Sequence, residues 1–311
     1  MTVLPKNHIY LPEGLRQKTV PDLTALRAAK EAGTILEGTV LRCDASRALH
    51  VSLGALEGII PREEALAPWI SGAGRDISLL SCVGTPVCFQ ITDISADRKG
   101  APRILLSRRT AQEAAKAHFL QHYTPGSVVI SRVTHLESFG AFLDIGCGII
   151  ALLPLENISV ARIPHPSQRF TQGQKLLTAV AAADFSIPRF TMTHKELLGT
   201  WLENASRFQP GETIPGIVRA VKDYGCFVEL TPNLSGLAEC KEGIRPGDRV
   251  SVYIKSIRSE RMKIKLVIID ACKNESPGKK LDYYVEPMAE HIDYWRYSPQ
   301  GTCKVIESRF V

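Results

Sequence analysis

No run of 18 or more apolar residues occurs in the 311-residue chain, which excludes an ordinary membrane-spanning helix. The opening MTVLPKNHIYLPEG lacks the charged-then-apolar pattern of a secretory leader, so a cytoplasmic protein is expected. Cysteine occurs eight times, at Cys43, Cys82, Cys88, Cys147, Cys226, Cys240, Cys272 and Cys303, but never as C-x-x-C. The scatter excludes common zinc motifs and leads us to expect reduced, buried thiols. Also missing are G-x-x-x-x-G-K-[ST], H-E-x-x-H, G-x-S-x-G and G-x-G-x-x-G; Gly72 and Gly74 form only an isolated GAG. The eight histidines offer no metal constellation, since His118 and His122, four apart on a helix face, lack a third ligand. Neither catalysis nor a cofactor is expected.

Aromatic residues are scarce at 7%, and the net charge of +6 is modest, while 19 prolines and 23 glycines imply many turns. The length suits two or three units, each with its own core. Self-comparison then shows a repeat. PGSVVISRVTHLESFGAFLDI, starting at Pro125, lies over PGETIPGIVRAVKDYGCFVEL, starting at Pro210, at a constant offset of 85 residues. The register pairs Val133 with Val218, Phe139 with Tyr224, Gly140 with Gly225 and Phe142 with Phe227. It resumes at Gly173 and Gly247, the third copy being 11 residues shorter. A more divergent copy begins near Gly33, with Pro61 and Gly84 where the second has Pro154 and Gly173.

Each copy reads as short alternating strands broken by Gly, Pro, Asn and Asp, and five such strands make a small barrel. Helices are expected at 22–32, where Pro21 and Asp22 give a start and Gly33 a stop, and between copies at 107–122 and 194–207. The chain divides into an N-terminal extension with a helix (1–32), a divergent barrel (33–110), a linker helix (111–122), a barrel (123–194), a linker helix (195–208), a barrel (209–270) and a C-terminal extension (271–311).

The Gly-x-Val strand, the F-G-A-F and Y-G-C-F segments, and Gly173 and Gly247 at the fourth strand together resemble the S1-type RNA-binding domain. The resemblance covers roughly residues 33–267, and three modules in a row look like a short form of the bacterial ribosomal protein S1 family. It implies a mainly β chain of three tandem five-stranded OB-fold barrels joined by short helices. It further implies a monomer that takes single-stranded RNA or mRNA, without membrane contact. The first copy, with EGIIPREEAL, resembles modules that dock to the small ribosomal subunit.

Single-strand binding needs flat π-surfaces for bases and positive charge for phosphates. Phe139 and Phe142, three apart, would point to opposite faces of a regular strand, so a shared face calls for a bulge, for which Gly140 is suited. The resemblance puts Phe139, Phe142, Tyr224 and Phe227 on the binding face, and places Asp184 and Arg189 beside the bound strand. The third copy departs there with Arg258 and Lys263. It departs again where the family often has a histidine: Pro154 and Glu239 stand there.

Cations cluster in the last hairpins. Residues 161–195, ending at Lys195, hold five Lys/Arg against one Asp; residues 241–265, including Lys255, Arg258 and Lys263, hold eight against three acids. The first copy has Arg98, Lys99, Arg103, Arg108 and Arg109 with no acid among them. The recurrence suggests a phosphate track. KNESPGKK at 273–280 suggests a flexible joint, and Tyr294, Trp295, Arg296 and Tyr297 beyond it suggest an aromatic clasp on the third barrel rather than an RNA contact. Trp69 could anchor its loop or meet a partner. Two other roles fit the same residues: a regulator of transcription or mRNA decay, and a protein-interaction scaffold.

Overall fold

The computed structural model describes residues 10–16, 22–70, 75–96, 100–184, 189–271, 281–285 and 289–310. Pro21, Gly72, Gly74, Arg98, Lys99, Cys272 and the joint at 273–280 lie outside the described residues.

Period-two patterning builds the barrels. In the third, Val250, Val252 and Ile254 are buried while Ser251 is half-buried and Tyr253 and Lys255 are exposed; Ile264, Leu266 and Ile268 are buried between Lys263, Lys265, Val267 and Ile269. Fifteen strands close into three five-stranded barrels. The first holds β1 (Leu36–Cys43), β2 (Leu49–Ser52), β3 (Glu57–Ile60), β4 (Pro86–Ala96) and β5 (Pro102–Ser107). The second holds β6 (Val128–Glu137), β7 (Gly140–Asp144), β8 (Ile150–Pro154), β9 (Lys175–Asp184) and β10 (Arg189–Thr193). The third holds β11 (Thr213–Lys222), β12 (Gly225–Thr231), β13 (Leu234–Ala238), β14 (Arg249–Arg258) and β15 (Lys263–Ala271). In each, the third and fifth strands pair parallel and the other ladders are antiparallel. The first strand of each is bulged at a matching place, between Val40 and Arg42, Val133 and His135, and Val218 and Ala220. A bulge adds the twist a long strand needs to serve both sides of a small barrel. The expected mainly β, three-barrel class is what the chain adopts.

Helix α1 (Leu23–Glu31) is capped by Asp22, whose carboxylate accepts from the Ala25 N–H at 2.7 Å. Helix α2 (Arg75–Leu80) lies in the first barrel's long β3–β4 connection, and α3 (Arg108–His122) is capped by Ser107. The helix expected over 194–207 is broken in two. A 3-10 turn at Lys195–Leu198 ends at Gly199, whose φ of 81° is left-handed, and α4 (Trp201–Ala205) restarts with a Thr200–Glu203 capping box. A side chain at Gly199 would meet the Tyr284 ring at 2.7 Å, so the glycine admits the C-terminal segment as well as the turn.

The barrels are joined by buried polar contacts. Residues 10–16 run between the first two: Glu13 takes a two-pronged contact from Arg108 (2.8 and 2.7 Å), its N–H donates to Asp144 (2.7 Å), and it accepts from the Cys88 N–H (3.0 Å). Tyr10 packs beside His118, which stacks on His122 at 4.2 Å; that pair therefore helps anchor the strap. Trp69 packs against the second barrel's core, with Lys116 over its ring at 4.9 Å. Between the second and third barrels, Glu229 binds Arg169 and Arg219, each contact 2.7 Å.

The C-terminal segment clasps those two barrels. Its β16 (Tyr294–Arg296) and β17 (Glu307–Arg309) form a ribbon, Trp295 and Tyr297 enter the third core, and His291 bridges to Ser127 of the second barrel. Burying two such rings contributes about 1.5–3 kcal/mol each. The expected aromatic clasp is thus formed by Trp295 and Tyr297, while Tyr294 stays 47% exposed. One expectation fails: Cys226 and Cys240 are joined in a disulfide, and Cys303 is exposed. Pairing of Cys226 with Ala238 brings Cys240 diagonally across the hairpin, to a Cα separation of 5.3 Å.

Candidate nucleic-acid interface

Strand pairing lays one outward row across each barrel. In the second it runs His135, Phe142, Leu152, Thr191, Ala182, and none of these is buried. In the third it runs Ala220, Phe227, Leu237, Lys265, Ser256, again with none buried. The second aromatic of each pair therefore sits at the same place on the same face. The first stands in the tight turn just before the strand: Phe139 is 54% and Tyr224 70% exposed. Ring centroids are 5.9 Å apart at 90° for Phe139–Phe142 and 6.1 Å apart at 89° for Tyr224–Phe227. Two edge-to-face pairs thus stand half exposed with nearly one geometry.

The means of sharing a face differs from the expected bulge at Gly140. The bulges lie on the partner strands, β6 and β11, while Gly140 and Gly225 open β7 and β12. A Cβ on Gly140 would run into the Leu153 carbonyl oxygen, and one on Gly225 would lie 2.7 Å from that of Ala238. These glycines permit close approach of the next strand, and the preceding aromatic escapes strand alternation because it belongs to the turn.

Asp184 and Arg189 face each other where β9 ends and β10 begins, both exposed. Arg258 and Lys263 occupy the same places on β14 and β15, two cations in line. Lys255 protrudes from the irregularity between Ile254 and Ser256, also exposed. Lys195 is not brought to the row: its Nζ donates to Asn157 (2.9 Å), and its carbonyl accepts from Asn233 at the joint to the third barrel.

In the first barrel the row reads Arg42, His50, Ile59, Leu105, Asp93, with His50 where Phe142 stands. The His50 ring lies 3.0 Å from Asp44 and 2.5 Å from Glu57, and Arg42 contacts Glu57 at 3.1 Å. Hydrogen bonds from Ser46 and His50 hold the Asp44 carboxyl well below its usual range, and His50 does the same for Glu57. Among the described residues no aromatic pair stands on this row. The basic cluster expected nearby is also largely spoken for: Arg108 is buried against Glu13, and Arg109 pairs with Glu113 and Glu64. Arg103 is exposed.

Sequence reasoning omitted Leu152, Thr191, Leu237 and Ser256, and placed Lys265 among the basic residues without linking it to Phe227. Once the fourth and fifth strands are laid over one another from Gly173 and Gly247, Thr191 falls on Lys265, and this alignment could have revealed the row.

A family model for the S1 RNA binding domain matches residues 123–184, the second barrel up to the end of β9. Three relatives are similar over longer stretches. Small ribosomal subunit protein bS1 of Leuconostoc lactis is 32% identical over 180 residues, 53% of this chain and 42% of that protein. The bS1 homolog of Bacillus subtilis is 27% identical over 260 residues, 80% of this chain and 63% of that protein. The bS1 protein of Staphylococcus aureus strain COL is 29% identical over 189 residues, 56% and 48% respectively. This chain spans about two fifths to under two thirds of the length of these relatives. Residues 123–184 thus match the S1 RNA binding domain, and over 53–80% of its length the chain is similar to bS1 proteins and a bS1 homolog.

Proposed function

We propose that this chain binds single-stranded RNA along the outward rows of the second and third barrels, in the service of translation. Bases stack on Phe139 and Phe142 and on Tyr224 and Phe227, while Arg189, Lys255, Arg258, Lys263 and Lys265 meet phosphates. The observation that carries this reading is the repetition of one half-exposed edge-to-face pair at the same row position in two barrels. Stacking on such faces is sequence-tolerant and worth about 1–3 kcal/mol per base. Loss of both Phe142 and Phe227 to Ala should therefore weaken binding at least tenfold, read by fluorescence anisotropy with an unstructured oligonucleotide. Unchanged affinity in the double variant would sink the stacking model.

For the first barrel the same proposal assigns docking to protein, with the small ribosomal subunit as partner. In support, its row carries an ion network in place of aromatics, and Leu41, Ile77, Leu80 and Val83 are all at least 42% exposed around its β3–β4 connection. Cosedimentation with ribosomes that survives the two aromatic substitutions but is lost with Leu41→Asp would bear this out.

A further inference from the structure

The disulfide between Cys226 and Cys240 sits inside the aromatic site of the third barrel. Cys226 lies between Gly225 and Phe227 at the start of β12, fully buried. Cys240 follows β13 and is exposed, its sulfur 3.7 Å from the Lys222 carbonyl oxygen. Lys222 pairs with Gly225 at the base of the turn that carries Asp223 and Tyr224. The bond thus ties the Tyr224 turn, the Phe227 strand and the segment leaving β13 into one unit. At the repeat offset of 85 the second barrel has Ala141 and Leu155 instead, so it carries the aromatic pair without the bond.

We infer that this disulfide is a redox control on RNA binding by the third barrel, the oxidised state being the tighter one. The inference rests on the function proposed above. A cross-link that fixes Tyr224 relative to Phe227 before RNA arrives lowers the ordering cost of binding. The chemistry is thiol–disulfide exchange with a low-molecular-weight disulfide such as oxidised glutathione. The exposed Cys240 thiolate attacks one sulfur of that disulfide and expels a thiolate, leaving a mixed disulfide. The Cys226 thiolate then attacks the Cys240 sulfur and expels the second thiolate. The two protons released by the cysteines end on the two expelled thiols, and two electrons pass from protein to reagent. A small dithiol reverses both steps.

The test titrates fluorescent single-stranded RNA with the full chain at reducing and oxidising glutathione poise, the state of the pair being read by thiol alkylation and mass. Wild type, Cys240→Ser and Phe142→Ala are compared, the last so that the third barrel dominates. Oxidised wild type should bind about 3- to 10-fold tighter than reduced, the gain expected from fixing one or two side chains in advance. The ratio should grow in Phe142→Ala. Cys240→Ser should bind like reduced wild type at both poises. RNA affinity independent of poise, with the disulfide shown to form and break, overturns the control while leaving the binding site intact. Failure of the pair to oxidise also overturns it, and absence of RNA binding at either poise removes the site and the control together.

Discussion

Glu229 is held between Arg169 and Arg219 with all three side chains at most 7% exposed. Burial alone would push its carboxyl up, but the two guanidinium groups outweigh burial and hold it below the usual range. Glu229→Ala would leave two cations buried without a partner, so a loss of about 3–5 kcal/mol is expected in urea unfolding. His194 behaves in the opposite way. It donates from Nδ1 to the Ile158 carbonyl (2.9 Å) beside Tyr283, and burial pushes its pKa down to about 4. The unfolded chain takes up this proton near pH 6.5 and the folded one only near 4. Stability is therefore present in full above 6.5 and falls as pH drops through that window, by roughly 3 kcal/mol. A thermal unfolding series from pH 7 to 4 should show this slope, reduced in His194→Gln. Neither site was legible beforehand. Arg169 and Glu229 stand 60 residues apart, and nothing local marks either as the other's partner.

At the scale of elements, β7 and β12 succeed as platforms because glycine opens each. Gly140→Ala would press against the Leu153 carbonyl and force β7 from β8. A cost of about 1–3 kcal/mol is expected from such overpacking, with weaker RNA binding by the second barrel, checked by melting and by anisotropy. The barrels themselves were readable, since alternation and turn residues recur at a fixed offset, and F-G-A-F and Y-G-C-F announced the aromatic pairs. The rows were only half readable. Phe142 and Phe227 follow from the motif, whereas Leu152 and Leu237 join them only through ladders to other strands. The break at Gly199 was hidden by the helix-forming residues on both sides, because the turn there answers to Tyr284, far along the chain.

Across the whole molecule, the strap at residues 10–16 and the C-terminal clasp join barrels that tandem repetition alone would leave as separate units. The Tyr283 hydroxyl accepts the Leu177 N–H at 3.1 Å, and His291 Nε2 donates to the Pro125 carbonyl at 2.8 Å. The clasp is also held to the second barrel by the Val128 N–H to the Glu290 carbonyl and the Ile292 N–H to the Gly126 carbonyl (each 2.9 Å), so Tyr283→Phe with His291→Ala should loosen it without releasing it, while leaving Trp295 and Tyr297 in the third core. Lost hydrogen bonds contribute about 0.5–1.5 kcal/mol each, so a modestly lowered melting temperature in thermal unfolding is the expected outcome.

The clasp also sets a timetable for synthesis. Pro125 and His291 are 166 residues apart, and at about 5–20 residues per second the second emerges from the ribosome roughly ten to thirty seconds after the first. Through that interval the newly folded second barrel must keep Val128, Ala179 and Leu197 from aggregating, because Tyr283, Val285 and Ile292, which cover them, have yet to be made.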